Sequence, residues 1–168
     1  MNQIYFGNWY ILDIETTGLY VDEAIIIAIG LKNLEEEKIF YCENPKSEKK
    51  ILNDFLNFLE EKNVDTLIGY GISNFDKPFL EGRCLINNLD FRILEKINYI
   101  DLMLIIKKLR FKRFSLNYLS ELLFNSSNTY NIHIPLHYLS LEKEFIIEHL
   151  KKDLNNIFLL AKRLKIIV

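Results

Sequence analysis

The change of hydrophobic period partway along the chain is the feature that most constrains its fold. Up to residue 42 the apolar residues lie in short β-branched and aromatic runs, which are typical of buried strands: residues 8–14, 24–32 and 38–42. Over residues 51–59 the apolar spacing becomes that of an amphipathic helix. The first part therefore predicts three strands in an antiparallel meander, and a helix follows it.

Short strands and helices alternate in the rest of the chain. Strands are predicted at 66–70 and 99–100, and helices at 79–86, 102–109, 115–124 and 140–164. Pro78 suits the first turn of its helix, and Ser115 suits an N-cap. This order predicts an α/β fold with a mixed five-stranded sheet and helices on both faces. Residues 125–139 are turn-rich and give no prediction of their own.

Length and composition exclude several classes of protein. The chain has 168 residues, and we expect residues 1–168 to form one domain. The hydrophobic share of 49% and the charged share of 26% are those of a globular domain and argue against intrinsic disorder. The net charge of -2 excludes a uniformly basic surface, so nucleic-acid binding would need a local patch or metal ions.

The cysteines and the N-terminal segment favour a cytoplasmic location. Cys42 and Cys84 are too few for a disulfide framework and indicate free thiols in a reducing compartment. The N-terminus shows no basic segment followed by an apolar run. The longest apolar run, residues 24–31, is far shorter than the roughly 20 residues that span a bilayer. We therefore expect a cytoplasmic protein that does not associate with membranes.

Acidic side chains stand where strands end or where an apolar stripe should continue. Asp13 and Glu15 are two residues apart at the end of the first predicted strand, so they share a face of the sheet. Asp76 follows a later strand and directly precedes a helix. Asp153 lies within the apolar stripe of the last helix, where an unpaired charge is unfavourable. His149 lies one turn earlier on the same face.

Each of these residues also has an ordinary explanation: a strand end that reaches solvent, a helix N-terminus that favours an acid, or a surface ion pair. Taken together they favour a site, because the carboxyl ends of strands are where α/β sheets bind ligands. Four carboxylates in one pocket require cations, and hard oxygen ligands select Mg²⁺ or Mn²⁺. Two such ions suit in-line displacement at a phosphodiester. His149, with an unperturbed pKa near 6.5, is the candidate general base.

The segments around these acids resemble the DEDD-type 3′–5′ exonucleases of the ribonuclease H-like superfamily. Residues 13–19 match the first motif of that family, D-x-E-T-T-G-L, without a gap. Residues 69–80 are similar to the second motif, G-Y-N-x-x-x-F-D-x-P-F/Y-L, in the style of family B DNA polymerase exonuclease domains and their stand-alone relatives. Residues 100–102 and 114–119 are similar to a further stretch of these exonuclease domains, D-L followed by s-L-n-x-v. Residues 149–153 are similar to the third motif.

The resemblance implies a set of metal ligands and a cofactor. The ligands would be Asp13, Glu15, Asp76 and Asp153, and the cofactor would be two divalent ions, Mg²⁺ or Mn²⁺. The resemblance also implies that the turn after the first strand contacts the terminal nucleotide, through Thr16, Thr17, Gly18 and Leu19.

The chain departs from the family pattern at two positions. Gly71 stands where the second motif has Asn, and Asn74 is the nearby residue that could replace this contact. Three residues separate His149 from Asp153, which is the spacing of the tyrosine subgroup with the side chain of the histidine subgroup. The candidate base therefore matches neither subgroup in both side chain and spacing.

The densest basic cluster lies between two predicted helices, at residues 107–113. Lys108, Arg110 and Lys112 could guide a phosphate backbone, and Phe111 and Phe114 could stack on bases. The alternative is a solvated turn whose phenylalanines lie in the core.

The sequence as a whole predicts a metal-dependent 3′–5′ exonuclease of single-stranded DNA or RNA that uses two metal ions. One alternative is a phosphodiesterase of very short oligonucleotides. Another is a non-catalytic module that binds nucleic acid or a protein. The complete set of four acids argues against the non-catalytic module, because such a module has no need of an acidic pocket.

Overall fold

The computed structural model of the protein describes residues 7–126 and 133–168. In these residues the strands are β1 (Trp9–Thr16), β2 (Ile26–Lys32), β3 (Glu37–Tyr41), β4 (Thr66–Gly69) and β5 (Asn98–Asp101). The helices are α1 (Glu48–Glu61), α2 (Asp76–Ile86), α3 (Arg92–Lys96), α4 (Leu102–Lys108), α5 (Leu116–Phe124), α6 (Ile134–Leu139) and α7 (Lys143–Arg163). A short 3₁₀ helix, Pro45–Ser47, precedes α1.

The strands form one mixed sheet with the order β3-β2-β1-β4-β5. β1, β2 and β3 pair antiparallel, which confirms the predicted meander. β4 pairs parallel with β1, and β5 pairs parallel with β4. Because β1, β4 and β5 run in one direction, their carboxyl ends lie at the same edge of the sheet. The acids that end or follow these strands are thereby brought to one edge.

Helices cover both faces of the sheet, as the sequence predicts. On one face α1, α2 and α3 pack over a core that includes Leu12 and Ile14 of β1. On the other face α4, α5 and α7 pack over a second core that includes Ile11. Side chains alternate along a strand, so Asp13 and Glu15 lie on the same face as Ile11, beneath α7.

A glycine in β2 lets α7 approach the sheet closely. Gly30 pairs with Asp13 across the β1–β2 ladder. A Cβ atom at Gly30 would lie 2.6 Å from Cδ1 of Leu154 and 3.1 Å from Cγ of Leu150. A close contact between α7 and the sheet therefore occurs beside the first acid of β1.

Several boundaries differ from the sequence prediction. α2 begins at Asp76 rather than at residue 79, and α7 begins at Lys143 rather than at residue 140. The short helices α3 and α6 were not predicted, and α6 falls in the turn-rich segment. Residues 127–132 of that segment lie outside the described residues. A helix of five or six residues has too few turns to show a hydrophobic period, so packing of Leu94 and Tyr138 against the cores fixes these two.

Both cysteines, Cys42 and Cys84, are buried free thiols. None of the helices in the described part of the chain combines the length and the apolar surface that a bilayer crossing requires.

Candidate active site

Carboxylates from β1, α2 and α7 converge at the carboxyl edge of the sheet. The pKa of the Asp13 carboxyl group is raised well above its ordinary value. Burial is the main cause, and the negative charges of Asp153, Asp76 and Glu15 add to it. Asp13 therefore lies within electrostatic reach of the three other acids named by the sequence.

His149 of α7 lies between two of these carboxylates. Its Nδ1 atom is 2.8 Å from Oε1 of Glu15 and 3.6 Å from Oδ2 of Asp153. Burial alone would lower the pKa of the imidazole, but the hydrogen bond and charge of Glu15 and the charge of Asp153 outweigh it. The net effect is a raised pKa, which favours a positively charged ring between the two acids.

Glu15, His149 and Asp153 also form a cluster with the spacing of a metal site. One potential ligand atom from each lies within 4.8 Å of the others. The sequence predicts His149 as a general base and not as a metal ligand. The structure places its Nδ1 in the same cluster as the carboxylates, where it is a candidate ligand or an ion-pair partner as well.

Asp76 is the most enclosed of the four acids that the sequence predicts. The residue is 5% exposed and begins α2. The pKa of its carboxyl group is raised to about 7, mainly by burial, and the charges of Asp101 and Glu15 raise it further. Hydrogen bonds from the backbone N–H groups of Asp76 and Ile14 partly offset the increase. Near neutral pH, Asp76 therefore exists as a mixture of charged and neutral forms when no cation is bound.

Asp101 is a buried acid at this edge to which the sequence analysis gave no role. Its carboxylate accepts hydrogen bonds from the backbone N–H groups of Gly71 at 2.9 Å, Met103 at 3.0 Å and Ser73 at 3.1 Å. These bonds cap α4 and hold the turn that leads from β4 to Asp76. The signal was an acid directly after the predicted strand at 99–100, which is similar to the signal that identified Asp76.

The turn before α2 explains the glycine in the second motif. Gly71 has a φ of +78°, which lies in the left-handed region that Gly and Asn adopt most readily. A side chain other than that of Asn would be strained in this conformation, so the turn favours a glycine at residue 71. Asn74 is exposed in this turn, and its backbone N–H donates to the Gly71 carbonyl. Its side chain is thus on the outer surface near Asp76.

The turn after β1 is shaped by its threonines. The Thr16 hydroxyl donates to the Gly18 carbonyl at 2.7 Å. The Thr17 N–H donates to the Ile25 carbonyl, and the Thr17 hydroxyl accepts from the Ile25 N–H. Thr17 therefore closes the base of the loop with both its backbone N–H and its hydroxyl oxygen. Leu19 is 74% exposed.

The predicted basic cluster follows α4 and is exposed. Lys108, Arg110 and Lys112 have solvent-exposed side chains. The segment returns to the sheet edge at Phe114, whose carbonyl accepts a hydrogen bond from the hydroxyl of Tyr70, the residue after β4. The structure therefore brings one end of this segment to the edge that carries the acids.

Comparisons with known proteins agree with this architecture. A protein-family model described as the RNase_H superfamily matches residues 10–133. The chain is 37% identical over 86 residues to the uncharacterized protein MJ0365 of Methanocaldococcus jannaschii, an alignment that covers 51% of this chain and 47% of that protein. The chain thus spans about half the length of this curated relative.

The fold also matches part of a solved DNA polymerase. The family B DNA polymerase from the hyperthermophilic archaeon Pyrobaculum calidifontis superposes with a TM-score of 0.79 at 17% sequence identity. The match covers 93% of this chain and 24% of the polymerase chain. The five-stranded mixed sheet with helices on both faces is the ribonuclease H-like fold of the exonuclease type, and the chain belongs to the RNase_H superfamily.

Proposed function

We propose that the protein is a divalent-cation-dependent 3′–5′ exonuclease that hydrolyses single-stranded DNA or RNA. The observation that carries the proposal is the convergence of Asp13, Glu15, Asp76, Asp153 and His149 from three separate elements. The charges of neighbouring carboxylates help to raise the pKa values of Asp13 and Asp76. Such repulsion disfavours the folded state when no ligand is bound, which points to a positively charged ligand. The superfamily and the motifs around the acids support a nuclease.

The donor set fits divalent cations. Asp13, Glu15, Asp76 and Asp153 offer oxygen ligands, which Mg²⁺ and Mn²⁺ prefer. A bound cation would relieve the repulsion among the four carboxylates, which contributes to the raised pKa values of Asp13 and Asp76. When bound, a pair of such ions supplies activation of the attacking water and stabilisation of the leaving oxygen.

The side chains of this protein would then orient the reactants. In the neutral ring of His149, with the Nδ1–H donating to Glu15, Nε2 is the nitrogen that can orient a water or accept its proton; in the charged ring it can only donate. Thr16, Thr17, Gly18 and Leu19 would hold the terminal nucleotide beside the acids.

The rest of the strand would leave the pocket along the surface. Lys108, Arg110 and Lys112 would contact its phosphates further from the end that is cleaved. Asn74, exposed in the turn before Asp76, would take the substrate contact of the motif asparagine.

The test is a hydrolysis assay on single-stranded DNA and RNA labelled at either end, with Mg²⁺, Mn²⁺ or EDTA. With metal present, we expect a 3′ label to be released as a mononucleotide and a 5′-labelled strand to shorten stepwise. Neither product should form in EDTA. Asp13→Asn and Asp153→Asn should be inactive, whereas Asp90→Asn, a change at an exposed acid, should be fully active. Metal-independent cleavage, internal cleavage or release from the 5′ end would contradict the proposal.

A further inference from the structure

Two apolar side chains project into solvent from the loop that follows β1. Leu19 is 74% exposed and Tyr20 is 67% exposed. Leu19 lies in the first motif, whereas Tyr20 lies just beyond it. An aromatic ring left this exposed on a loop has little contact with the core, so packing does not explain the choice of tyrosine there.

The backbone of Tyr20 is nevertheless fixed. Its carbonyl accepts hydrogen bonds from the N–H groups of Ala24 at 3.0 Å and Glu23 at 3.2 Å. The base of the loop is closed by the hydrogen bonds between Thr17 and Ile25. The loop is therefore a tight, hydrogen-bonded turn that holds the ring of Tyr20 outward.

Helix α2 clamps the next residue of the loop. The Val21 carbonyl accepts a hydrogen bond from Nη1 of Arg83 at 2.6 Å. A Cβ atom at Gly82 would lie 2.9 Å from Cγ1 of Val21, so helix and loop are in direct contact. The helix that begins with Asp76 thus also carries the contacts that position this loop.

Arg83 is itself held by a buried acid. Glu48 of α1 accepts from Nε of Arg83 at 2.9 Å and from Nη2 at 2.6 Å, and both side chains are buried. Glu48 also accepts from the backbone N–H of Ile26 at 2.8 Å, which fixes the start of β2. The buried, hydrogen-bonded pair of Arg83 and Glu48 is held in one geometry. The loop that Arg83 contacts is therefore preorganised before a ligand binds.

The position of Tyr20 limits what it can contact. Tyr20 is five positions after Glu15, so the two Cα atoms are at most roughly 18 Å apart, and the closed loop shortens this distance. A strand whose 3′ end is bound at the acids would place the bases of its last few nucleotides within this distance of Glu15. A base offers a flat π face, which is the surface that an exposed phenol ring stacks on.

We propose that Tyr20 is a specificity-determining residue that stacks on a nucleobase within the last three nucleotides of the bound strand. The proposal rests on the proposed function, because it takes the acids as the place where the 3′ end is bound. A base in a duplex is already stacked on its neighbours, whereas an unpaired base is free to stack on the ring. Tyr20 would therefore select ends whose bases are unpaired, with little preference for which base is present.

The experiment pairs protein variants with modified strands. Binding of a fluorescein-labelled single strand is measured with Ca²⁺ present, for the wild type, Tyr20→Phe, Tyr20→Ala and the control Leu34→Ala, another exposed apolar residue. Each variant is titrated with the normal strand and with strands that lack the base at one of the last three 3′ positions. Thermal melting checks that Tyr20→Ala remains folded.

We expect Tyr20→Ala to weaken binding of the normal strand by about 5- to 100-fold, and Tyr20→Phe and Leu34→Ala to leave it unchanged. Removing one particular base should weaken binding to the wild type by a similar factor and have no effect on Tyr20→Ala. A Tyr20→Ala variant that binds normally, or that responds to every missing base as the wild type does, would overturn the proposal.

The same samples separate the failure of this proposal from failure of the proposed function. If the wild type shows the base-dependent binding but hydrolyses no strand with Mg²⁺ or Mn²⁺, the exonuclease proposal fails and the stacking proposal stands. If the wild type hydrolyses strands from the 3′ end while Tyr20→Ala shows the wild-type pattern of binding, stacking by Tyr20 is wrong and the exonuclease stands.

Discussion

The carboxyl group of Asp76 is buried among other acids, and its protonation links the stability of the protein to pH. Burial raises its pKa to about 7, whereas an unfolded aspartate titrates near 3.9. Between these values the folded state holds a proton that the unfolded state has released. Without cations, the free energy of unfolding should therefore fall as the pH rises from about 4 to about 7.

Asp76→Asn removes this titrating group while keeping the shape of the side chain. We expect the loss of unfolding free energy between about pH 4.5 and 7.5 to be smaller than in the wild type, by on the order of 3 kcal/mol. Urea denaturation in EDTA at both pH values measures the difference. An identical pH dependence in the two proteins would show that Asp76 is already ionised in the folded state.

Substitutions at His149 test the role of the base separately from the roles of the four acids. We expect His149→Ala to lower kcat by about 10²- to 10⁴-fold, the usual contribution of a positioned acid or base. His149→Tyr restores the side chain of the tyrosine subgroup at the spacing already present. Substantial activity in His149→Tyr with an inactive alanine variant would indicate that the residue orients water. Normal turnover by His149→Ala would make the histidine a bystander.

Local motifs are sufficient to predict the acids but not their contacts. Asp13 and Glu15 follow from the strand period, and Asp76 from its place between a strand and a helix. The hydrogen bond between His149 and Glu15 joins residues from opposite ends of the chain, so it depends on how α7 packs on the sheet. The three hydrogen bonds from backbone N–H groups to the Asp101 carboxylate likewise depend on a turn that the sequence does not predict.

At the level of secondary structure, the packing of α7 on β2 determines whether the third motif reaches the first. Gly30 permits this packing because a side chain there would meet Leu154 and Leu150. The apolar stripe of α7 predicts a buried helix. It does not predict which strand the helix crosses, because a glycine in a strand has several explanations. The placement of His149 and Asp153 over β1 therefore could not be predicted from the sequence.

Gly30→Ala tests this contact. The added methyl group must push Leu154 or the whole helix outward, so we expect a loss of about 1–3 kcal/mol in unfolding free energy. A lower kcat/KM should accompany it, since Asp153 and His149 shift relative to β1. Shortening the opposing side chain in Gly30→Ala/Leu154→Val should recover part of the activity that Gly30→Ala loses, and the two substitutions should be non-additive. Unchanged stability and activity in Gly30→Ala would contradict the account.

At the scale of the whole molecule, charge is unevenly distributed. The chain has a net charge of -2, with acids gathered at the sheet edge and exposed cations on the segment after α4. Composition predicts that nucleic-acid binding would need a local patch or metal ions, and the segment after α4 is an exposed cluster of cations. Its anchor through Tyr70 and Phe114 is a tertiary contact that composition does not reveal.

Charge reversal of Lys108, Arg110 and Lys112 should weaken binding of long single strands more than turnover of dinucleotides. Long strands extend over the basic segment, whereas dinucleotides need only the acidic pocket. The salt dependence of long-strand binding should also become shallower, because fewer phosphates are neutralised. Reversal of three exposed lysines on the other face, Lys46, Lys49 and Lys96, provides a control with the same change of net charge. Equal losses on both substrates would identify the segment as a solvated turn.

The carboxylates of β1, α2 and α7 are proposed to form a site for divalent cations. Calorimetric titration of Mn²⁺ into the metal-free protein, beside Asp13→Asn, tests it most directly. We predict that the wild type binds two ions and melts at a higher temperature when they are present, because they bind only the folded state. Asp13→Asn should lose at least one ion and most of the thermal shift. A wild type that binds no Mn²⁺ at millimolar concentration, or an Asp13→Asn variant that binds it equally well, would contradict the account.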